Sequence, residues 1–334
     1  MQQRTLGRNG PSVSALGLGC MGMSDMYGPT ERDESIATIH AALDAGIDLL
    51  DTGDFYGMGH NEMLLGEALV GRPRDSYKLS VKFGAQRGPD GAWLGYDARP
   101  AAVKTALSYT LKRLRTDYID VYRPARLDPN VPIEDTVGAI ADLVKAGYVR
   151  QLGLSEVGAA TIRRAHAVMP VSELQIEYSL ISRGIEDTIL PACRELGIGI
   201  TAYGVLARGL ISGHWSKERS LNGKDFRSLA PRFQGENLEH NLSLVETLRH
   251  LAKARQISVA QLAIAWVLAR GDDIVPLIGA RTRNRLTEAL SALDVKLSAE
   301  DLALIEREVP HGAAAGDRYN SHGMSTLDSE RNAG

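Results

Sequence analysis

The chain has 334 residues, of which 44% are hydrophobic and 24% are charged, a composition typical of a globular protein with a large core. Its 38 Lys and Arg residues and 41 Asp and Glu residues give a net charge of -3, without the basic block that binds nucleic acid. Because the sequence shows neither a secretion signal nor an apolar run of membrane-spanning length, we expect a cytoplasmic protein with no nucleic-acid or membrane partner.

Short apolar runs alternate with amphipathic segments along most of the chain. The first segment, RTLGRNGPSVSAL (4–16), has an Asn9-Gly10 turn between short alternating runs and predicts a β-hairpin. Strands are predicted at residues 16–19, 48–51, 77–82, 118–123, 151–155, 173–177, 198–203 and 275–278. Helices are predicted at residues 31–46, 61–70, 99–115, 134–147, 159–168, 186–197, 241–270 (two helices, broken near Ser258) and 283–292.

An additional helix follows the last predicted strand. In SAEDLALIERE (298–308), Ser298 can cap the first turn, and the two acids behind it suit the positive helix start. Eight rounds of strand and helix predict the α/β class and a closed (β/α)8 TIM barrel, with the hairpin covering its floor. We therefore predict a single domain over residues 1–334, with 309–334 as a polar tail whose last ten residues are disordered.

Two stretches interrupt the alternation, a long loop after the seventh strand at residues 204–240 and the tail at residues 309–334. Loops of this length in a compact domain are commonly functional, so we expect cofactor or substrate contacts there. The two cysteines, Cys20 and Cys193, have no paired spacing, which argues against a cysteine-based zinc site, and no metal is expected.

Asp51, Tyr56 and Lys82 form the candidate catalytic group. Asp51 ends the second predicted strand, Lys82 ends the third, and Tyr56 lies in the loop between them. Taken singly, each residue is more often structural, as a helix cap, a packed ring or a solvated ammonium. Active sites of closed parallel barrels lie at the carboxyl ends of the strands, where these three side chains would meet. A phenol has an unperturbed pKa of about 10, so a cation kept charged by an aspartate would favour its ionisation.

Two glycine-containing segments are candidates for binding a dinucleotide. GLGCMG (17–22) matches the GxGxxG pattern, but a loop rather than a helix follows it, so we expect these glycines only to let backbone approach a ligand. LIGARTRNRLTEAL (277–290) combines a strand end with a helix start that carries Arg281, Arg283 and Arg285. Three arginines on one turn repel each other without an anion, which predicts a phosphate site; the alternative is a solvated basic helix face.

With these residues in view, the chain resembles the aldo-keto reductase superfamily over nearly its whole length. The matching stretches are LDTGDFYG (50–57), NEMLLGEAL (61–69), LKRLRTDYIDVY (111–122), VRQLGLSEV (149–157), LQIEYSL (174–180), APRFQGEN (230–237) and IGAR (278–281). The resemblance implies a (β/α)8 barrel that uses NADPH/NADP+ without a Rossmann fold. It also implies that Tyr56 is the general acid, that Lys82 lowers its pKa and that Asp51 supports Lys82.

The resemblance also implies cofactor contacts on several loops. Ser155 and Gln175 would hold the nicotinamide carboxamide, Tyr203 would stack on the ring, and Arg281 and Arg285 would meet the 2′-phosphate. The other implied contacts are Gly19, Met21, Asp51, Glu156, Gly204, Leu206, Arg208, Gly209, Ile278, Gly279 and Glu288.

One departure from the family pattern concerns substrate binding. The family usually has a histidine after the fourth strand, where YRPARLDP (122–129) places Ala125. That histidine helps to orient the substrate carbonyl and shares in proton transfer. Its loss implies slower reduction by Tyr56 alone, space for a bulkier substrate, or a protein that chiefly binds NADPH. His60 and Arg126 are the nearby candidates to replace it, and for His60 a solvated loop position is the favoured interpretation.

Two functional hypotheses follow. The first is an NADPH-dependent oxidoreductase that reduces an aldehyde or ketone to the alcohol, in a reaction that can also run backwards, with Tyr56 as general acid. Its substrate contacts would be Tyr56, Met23, Trp93, Ala125 and Arg126. The second is an NADPH-binding sensor or interaction subunit with weak turnover, which the alanine at position 125 motivates. The sequence indicates neither the identity of the small-molecule carbonyl substrate nor an oligomeric state.

Overall fold

Eight parallel strands close into a barrel in the computed structural model, which describes residues 1–24, 26–216 and 225–331. The predicted loop at 204–240 and the predicted tail at 309–334 therefore include residues outside the described ones, namely 217–224 and 332–334.

Strands and helices alternate along most of the described chain. The strands are β1 (Gln3–Thr5), β2 (Ser12–Ser14), β3 (Gly17–Gly19), β4 (Leu49–Gly53), β5 (Lys78–Phe83), β6 (Ala85–Arg87), β7 (Trp93–Tyr96), β8 (Ile119–Pro124), β9 (Val149–Ser155), β10 (Val171–Glu177), β11 (Gly199–Tyr203) and β12 (Ile274–Ile278). The helices are α1 (Arg32–Asp44), α2 (His60–Ala68), α3 (Pro100–Leu114), α4 (Ile133–Lys145), α5 (Ala159–Val168), α6 (Ile189–Leu196), α7 (Gly235–Ala254), α8 (Val259–Leu268), α9 (Arg283–Leu290), α10 (Ala299–Glu308) and α11 (Ser321–Ser325).

The predicted (β/α)8 TIM barrel is confirmed. Its strands follow the order β10, β11, β12, β3, β4, β5, β8, β9 and close back onto β10, and every neighbouring pair is parallel. Each of the eight predicted strands is present to within two residues at either end. In this closed order β8 lies across the barrel from β12, because four strand positions separate them in both directions.

Alternation along the strands decides which side chains enter the barrel, and β10 shows this clearly. Leu174 and Ile176 belong to the main hydrophobic core, whereas Glu173, Gln175 and Glu177 are buried polar residues between and beside them. Because successive side chains of a strand point to opposite faces, the apolar residues pack against the helices and the polar ones face the barrel interior.

The predicted N-terminal hairpin covers the floor of the barrel. Strands β1 and β2 pair antiparallel, and Leu6 and Val13 pack with Leu49 and Val275 in a separate apolar cluster. The guanidinium of Arg4 donates to the carbonyl oxygens of the α8 to β12 connection. The floor is therefore sealed by side chains, and the open end of the barrel is the opposite one.

Two predicted helix starts have the expected caps. Ser298 begins α10 with a capping box, in which its hydroxyl accepts from the Asp301 amide, and Ser258 begins α8 in the same way with Gln261. The predicted break near Ser258 is therefore confirmed. Helix α7 begins at Gly235, six residues earlier than predicted, directly after the extended residue Gln234.

Two features were not predicted. Strands β6 and β7 form an antiparallel hairpin after β5, and it carries Trp93 beside the open end of the barrel. The predicted tail is not irregular throughout, since α11 and a 3-10 turn at Asp328–Glu330 lie within it. The prediction that the last ten residues are disordered is wrong for those up to 331, since Leu327 is buried, Ser329 donates to Glu156 and Asp328 accepts from the Gly158 amide.

The GLGCMG segment behaves as expected for a false dinucleotide motif. A 3-10 turn at Met21–Met23 follows β3, and the next α-helix begins only at Arg32. Across residues 1–24, 26–216 and 225–331, none of the helices is both long and apolar enough to cross a membrane. The same residues contain no group of three His, Cys, Asp or Glu side chains arranged to hold a metal ion.

Candidate active site

A cavity of about 650 Å³ opens at the carboxyl ends of the barrel strands. It is lined by many of the residues predicted to act there: Gly19, Met21, Asp51, Tyr56, Lys82, Trp93, Arg126, Ser155, Gln175, Tyr203, Gly204, Arg208 and Gly279. Predicted residues outside this lining are Met23, Ala125, Glu156, Leu206, Gly209, Ile278, Arg281, Arg285 and Glu288.

The three predicted catalytic residues meet at one side of this cavity. Asp51 and Lys82 lie on the neighbouring strands β4 and β5, where Gly53 pairs with Lys82 in register. The Lys82 Nζ atom lies 2.6 Å from Asp51 Oδ1, and it lies 5.2 Å from the centroid of the Tyr56 ring. All three side chains are almost fully buried. The predicted convergence of an acid, an ammonium and a phenol therefore holds in the structure.

A fully buried arginine, Arg123, joins this group from the next strand. It is the register partner of Lys82 across β5 and β8, and its guanidinium bonds Asp51 Oδ2 and forms an ion pair with Glu173 on β10. Gln175 also donates to Asp51 Oδ2, at 2.7 Å. Asp51 is thus shared by two cations and an amide.

Arg123 and Glu173 were not predicted as site residues, although the sequence carries a signal for them. Each is a charged residue inside a strand whose neighbours in sequence are buried. Charged side chains are almost never fully buried unless they are paired, so two such strands in a closed barrel predict an internal ion pair. The choice of partners, however, depends on the order of strands around the barrel.

The pKa values of this group follow from burial and from the shared carboxylate. Burial raises the pKa of Tyr56 well above its ordinary value, and the charge of Asp51 adds to that effect while Arg123 opposes it. Burial lowers the pKa of Lys82 to about 8 against the opposing charge of Asp51. Burial would raise the pKa of Asp51, but the charges of Lys82 and Arg123 outweigh it and lower this pKa.

The expectation that Lys82 lowers the pKa of Tyr56 stays a prediction, because burial and Asp51 raise this pKa overall. The phenol therefore stays protonated, which a proton donor requires. The nearby cations Lys82 and Arg123 then stabilise the negative charge that develops on the phenol oxygen as the proton leaves. At neutral pH a lysine with a pKa of about 8 remains mostly charged, so the predicted support of Lys82 by Asp51 is consistent with the structure.

Ser155, Gln175 and Tyr203 line the wall of the cavity formed by β9, β10 and β11. The Ser155 Oγ atom is buried and has no hydrogen-bond partner within the described part of the chain. The Tyr203 hydroxyl donates to Glu156 Oε1 at 2.7 Å. Glu156 is fully buried beneath this ring and forms an ion pair with Arg318, so its predicted contact with a cofactor is not supported.

The C-terminal segment closes over this wall. Arg318 forms ion pairs with Glu156 and Glu177 at 2.9 and 3.0 Å, and both carboxylates lie at the ends of barrel strands. The hydroxyls of Tyr319 and Tyr203 lie 3.0 Å apart, and the guanidinium of Arg208 lies 4.2 Å from the centre of the Tyr319 ring. The part of the tail before its last ten residues, where binding contacts were expected, therefore lies at the cavity.

The arginines after β12 repel each other less than the sequence suggests, because two of them have acidic partners. Arg283 forms an ion pair with Glu34, and Arg285 with Glu288, at 2.8 and 3.1 Å. Arg281 donates to the Tyr27 carbonyl oxygen at 3.1 Å. The argument that three unpaired arginines require an anion is therefore wrong, and the helix start at α9 remains only a candidate phosphate site.

Among the predicted substrate contacts, Trp93 and Arg126 line the cavity but Met23 does not. Met23 is fully buried in the main core, because its 3-10 turn directs the side chain away from the opening. His60 is exposed and lies outside the cavity lining, with Nδ1 bonded to Ser24 at 2.9 Å, so it does not replace the missing histidine. Ala125 is buried, two residues beyond Arg123.

The chain is similar to known proteins over nearly its whole length. A model of the aldo/keto reductase family matches residues 15–309. The chain is 44% identical over 322 residues to probable aldo-keto reductase 1 of Glycine max, covering 96% of this chain and 92% of that protein. A glycerol dehydrogenase from Gluconobacter oxydans superposes with a TM-score of 0.83 at 30% identity, over 92% of this chain and 96% of the other. An aldo-keto reductase from Bacillus halodurans, solved in its holo form, gives a TM-score of 0.77 at 28% identity, over 96% and 99% of the two chains.

Proposed function

This chain belongs to the aldo/keto reductase family, and on that basis we propose that it is an NADPH-dependent reductase of aldehydes or ketones with Tyr56 as general acid. The observation that carries the proposal is the position of Lys82 Nζ, 2.6 Å from Asp51 and 5.2 Å from the Tyr56 ring centroid, inside a cavity. A buried phenol beside a charged lysine suits proton donation to a carbonyl oxygen.

The cavity wall suits a nicotinamide. The buried Ser155 hydroxyl without a partner in the described residues is an unused donor and acceptor, which a carboxamide would satisfy. Tyr203 offers a ring at the same wall, and Gln175 lies between Ser155 and Thr201 in register. These residues would hold a nicotinamide ring, which supplies a hydride when it is bound in the reduced form.

The residues of this chain have separate tasks in the proposed reaction. Tyr56 gives its proton to the substrate oxygen as the carbonyl carbon is reduced. Lys82 and Arg123 then lie near the resulting phenolate and lower its energy, because both carry positive charge in a buried site. In the reverse direction the phenolate accepts the proton of an alcohol.

The direct test measures hydride transfer to a panel of aldehydes and ketones. The reaction is monitored by the decrease in NADPH absorbance and, in a separate series, in NADH absorbance. We expect turnover with NADPH on at least some members and a lower kcat/KM with NADH. Binding of NADPH is measured in parallel by fluorescence titration. Tight binding without single-turnover hydride transfer would contradict the reductase and favour the sensor that Ala125 motivates.

Replacing Ala125 with histidine tests whether this position faces the reacting carbonyl. Position 125 directly follows β8, two residues beyond Arg123, so the alternation of side chains predicts that a longer side chain there, such as an imidazole, extends toward the cavity. We expect Ala125→His to raise kcat on small neutral aldehydes by about tenfold or more, a modest value for an added proton-transfer group. Ala125→Leu fills similar space without a polar group and is the matched control. An unchanged kcat in the histidine variant would place the missing group elsewhere.

A further inference from the structure

Arg126 differs from the other cations that line the cavity. Lys82 pairs with Asp51 at 2.6 Å, Arg208 with Glu177 at 2.9 Å, and Arg331 lies 4.0 Å from Asp328. Within the residues that the structure describes, Arg126 has no carboxylate at ion-pair distance. Its positive charge therefore faces the cavity without a described carboxylate in direct contact, and Glu156 attracts it only from beyond ion-pair distance.

The hydrogen bonds of Arg126 leave part of its guanidinium unused. Nη1 donates to the Ala125 carbonyl oxygen at 2.6 Å, and Nη2 donates to the Tyr319 hydroxyl at 3.3 Å. The Nε atom is buried and has no acceptor among the described side chains and backbone. A guanidinium has five N–H donors in a planar fork that matches a carboxylate, so this group has donors to spare for one.

The position of Arg126 in the barrel indicates which molecule would bring the anion. It follows β8, which lies across the barrel from β12, whereas the candidate phosphate-binding residues Arg281 and Arg285 follow β12. The cofactor's phosphates are therefore expected on the far side of the cavity. The Arg126 guanidinium lies 5.9 Å from the centroid of the Tyr319 ring, and Tyr96 and Trp93 of the β6–β7 hairpin also line the cavity. The Arg126 side of the cavity is therefore the one available to a substrate.

We propose that the substrate is an aldehyde or ketone that also carries a carboxylate, and that Arg126 binds this carboxylate while the carbonyl lies at Tyr56. One unpaired guanidinium neutralises one negative charge, which favours a carboxylate over a phosphate dianion. The aromatic rings beside it suit an apolar body between the two groups. This inference rests on the proposed reductase function and specifies its substrate class.

The test compares 3- and 4-carboxybenzaldehyde with their methyl esters, which have the same carbonyl but no charge. We expect wild-type kcat/KM to favour the carboxylates by about 10- to 100-fold, the size of one charge-assisted pair. Arg126→Met should reduce this ratio at least about tenfold, and Arg126→Lys should restore part of it. Arg331→Met removes a cavity cation that already has an acidic neighbour, and it should keep the wild-type ratio.

Two results would overturn the inference: a wild-type ratio near one, or an equal loss on acids and esters in Arg126→Met, which would place Arg126 at the shared carbonyl. If the wild type reduces neither the acids nor the esters, the aldehyde and ketone panel decides whether the reductase function fails, and binding decides the inference separately. Calorimetric titration with 4-(hydroxymethyl)benzoate and its methyl ester, with and without NADP+, should then show tighter binding of the acid in the wild type only. Equal binding of acid and ester would reject the carboxylate site.

Discussion

Tyr56→Phe is expected to lower kcat for carbonyl reduction by about 100- to 10,000-fold, the contribution typical of a general acid. The substitution removes one hydroxyl and keeps the ring, which packs edge-on against Phe55 with the two ring centroids 4.7 Å apart. The loss should therefore come from the missing proton and not from the fold. The affinity for NADPH, measured by fluorescence titration, should stay within about twofold of the wild type. The proposed cofactor site is formed mainly by β9, β10, β11 and the segment after β12, whereas Tyr56 follows β4.

A matched control is available in the same cavity. Tyr96 also lines it, and Tyr96→Phe removes an equivalent hydroxyl from a position without a proposed role in proton transfer. Its kcat should remain within a few-fold of the wild type. If Tyr56→Phe and Tyr96→Phe lose similar activity, or if the Tyr56 variant keeps more than about a tenth of wild-type kcat, another group donates the proton.

Glu173→Leu is expected to destabilise the protein by about 3–5 kcal/mol, because it removes one of the two carboxylates of the buried Arg123 guanidinium and leaves it only Asp51, which Lys82 shares. Both side chains of this pair are fully buried. Replacing both, in Arg123→Met with Glu173→Leu, should recover most of that loss, since apolar side chains of similar size often substitute for a buried ion pair. Urea unfolding of the wild type, both single variants and the double variant measures the coupling.

The same double variant reports on catalysis through its pH dependence. Burial and the charge of Arg123 together lower the pKa of Lys82 to about 8, against the opposing charge of Asp51. Lys82 supports Tyr56 only while it is protonated, so activity is lost as the pH rises through its pKa. Without Arg123 this pKa should rise, and the alkaline loss of kcat/KM should move to higher pH.

A purely structural role for Arg123 predicts something different. The double variant would then change stability but show the same pH profile as the wild type. The groups that face Lys82 in this site are Asp51, Arg123 and Glu173. Of these, the double variant keeps only Asp51, which is why the direction of the shift is informative. An unchanged or downward-shifted alkaline limb would contradict the proposed influence of Arg123 on Lys82.

The fold and the convergence of the candidate catalytic residues were predictable because their signals are local. Each strand is a short buried run, and Asp51 and Lys82 stand at strand ends that any closed parallel barrel brings to one edge. Ser258 and Ser298 mark helix starts by chemistry that involves only three residues along the chain. Such features need no knowledge of distant partners.

The C-terminal segment was not predictable for the opposite reason. Its glycine-rich composition resembles a disordered tail, yet Arg318 enters a buried pair of carboxylates contributed by β10 and the end of β9. The energy that orders this segment comes from residues more than a hundred positions away, Glu156 and Glu177. A pattern within the tail itself cannot report them.

The sequence alone determined the barrel, its strand order in the chain and the edge at which Asp51, Tyr56 and Lys82 meet, because apolar periodicity and strand ends are properties of neighbouring residues. Only the tertiary structure decided that Arg123 shares Asp51 with Lys82, that Glu173 balances Arg123, and that Arg126 has no acidic partner within the described residues. Those outcomes depend on closure and register, which bring β8 and β10 to the same interior layer although about fifty residues separate Arg123 from Glu173 in the chain.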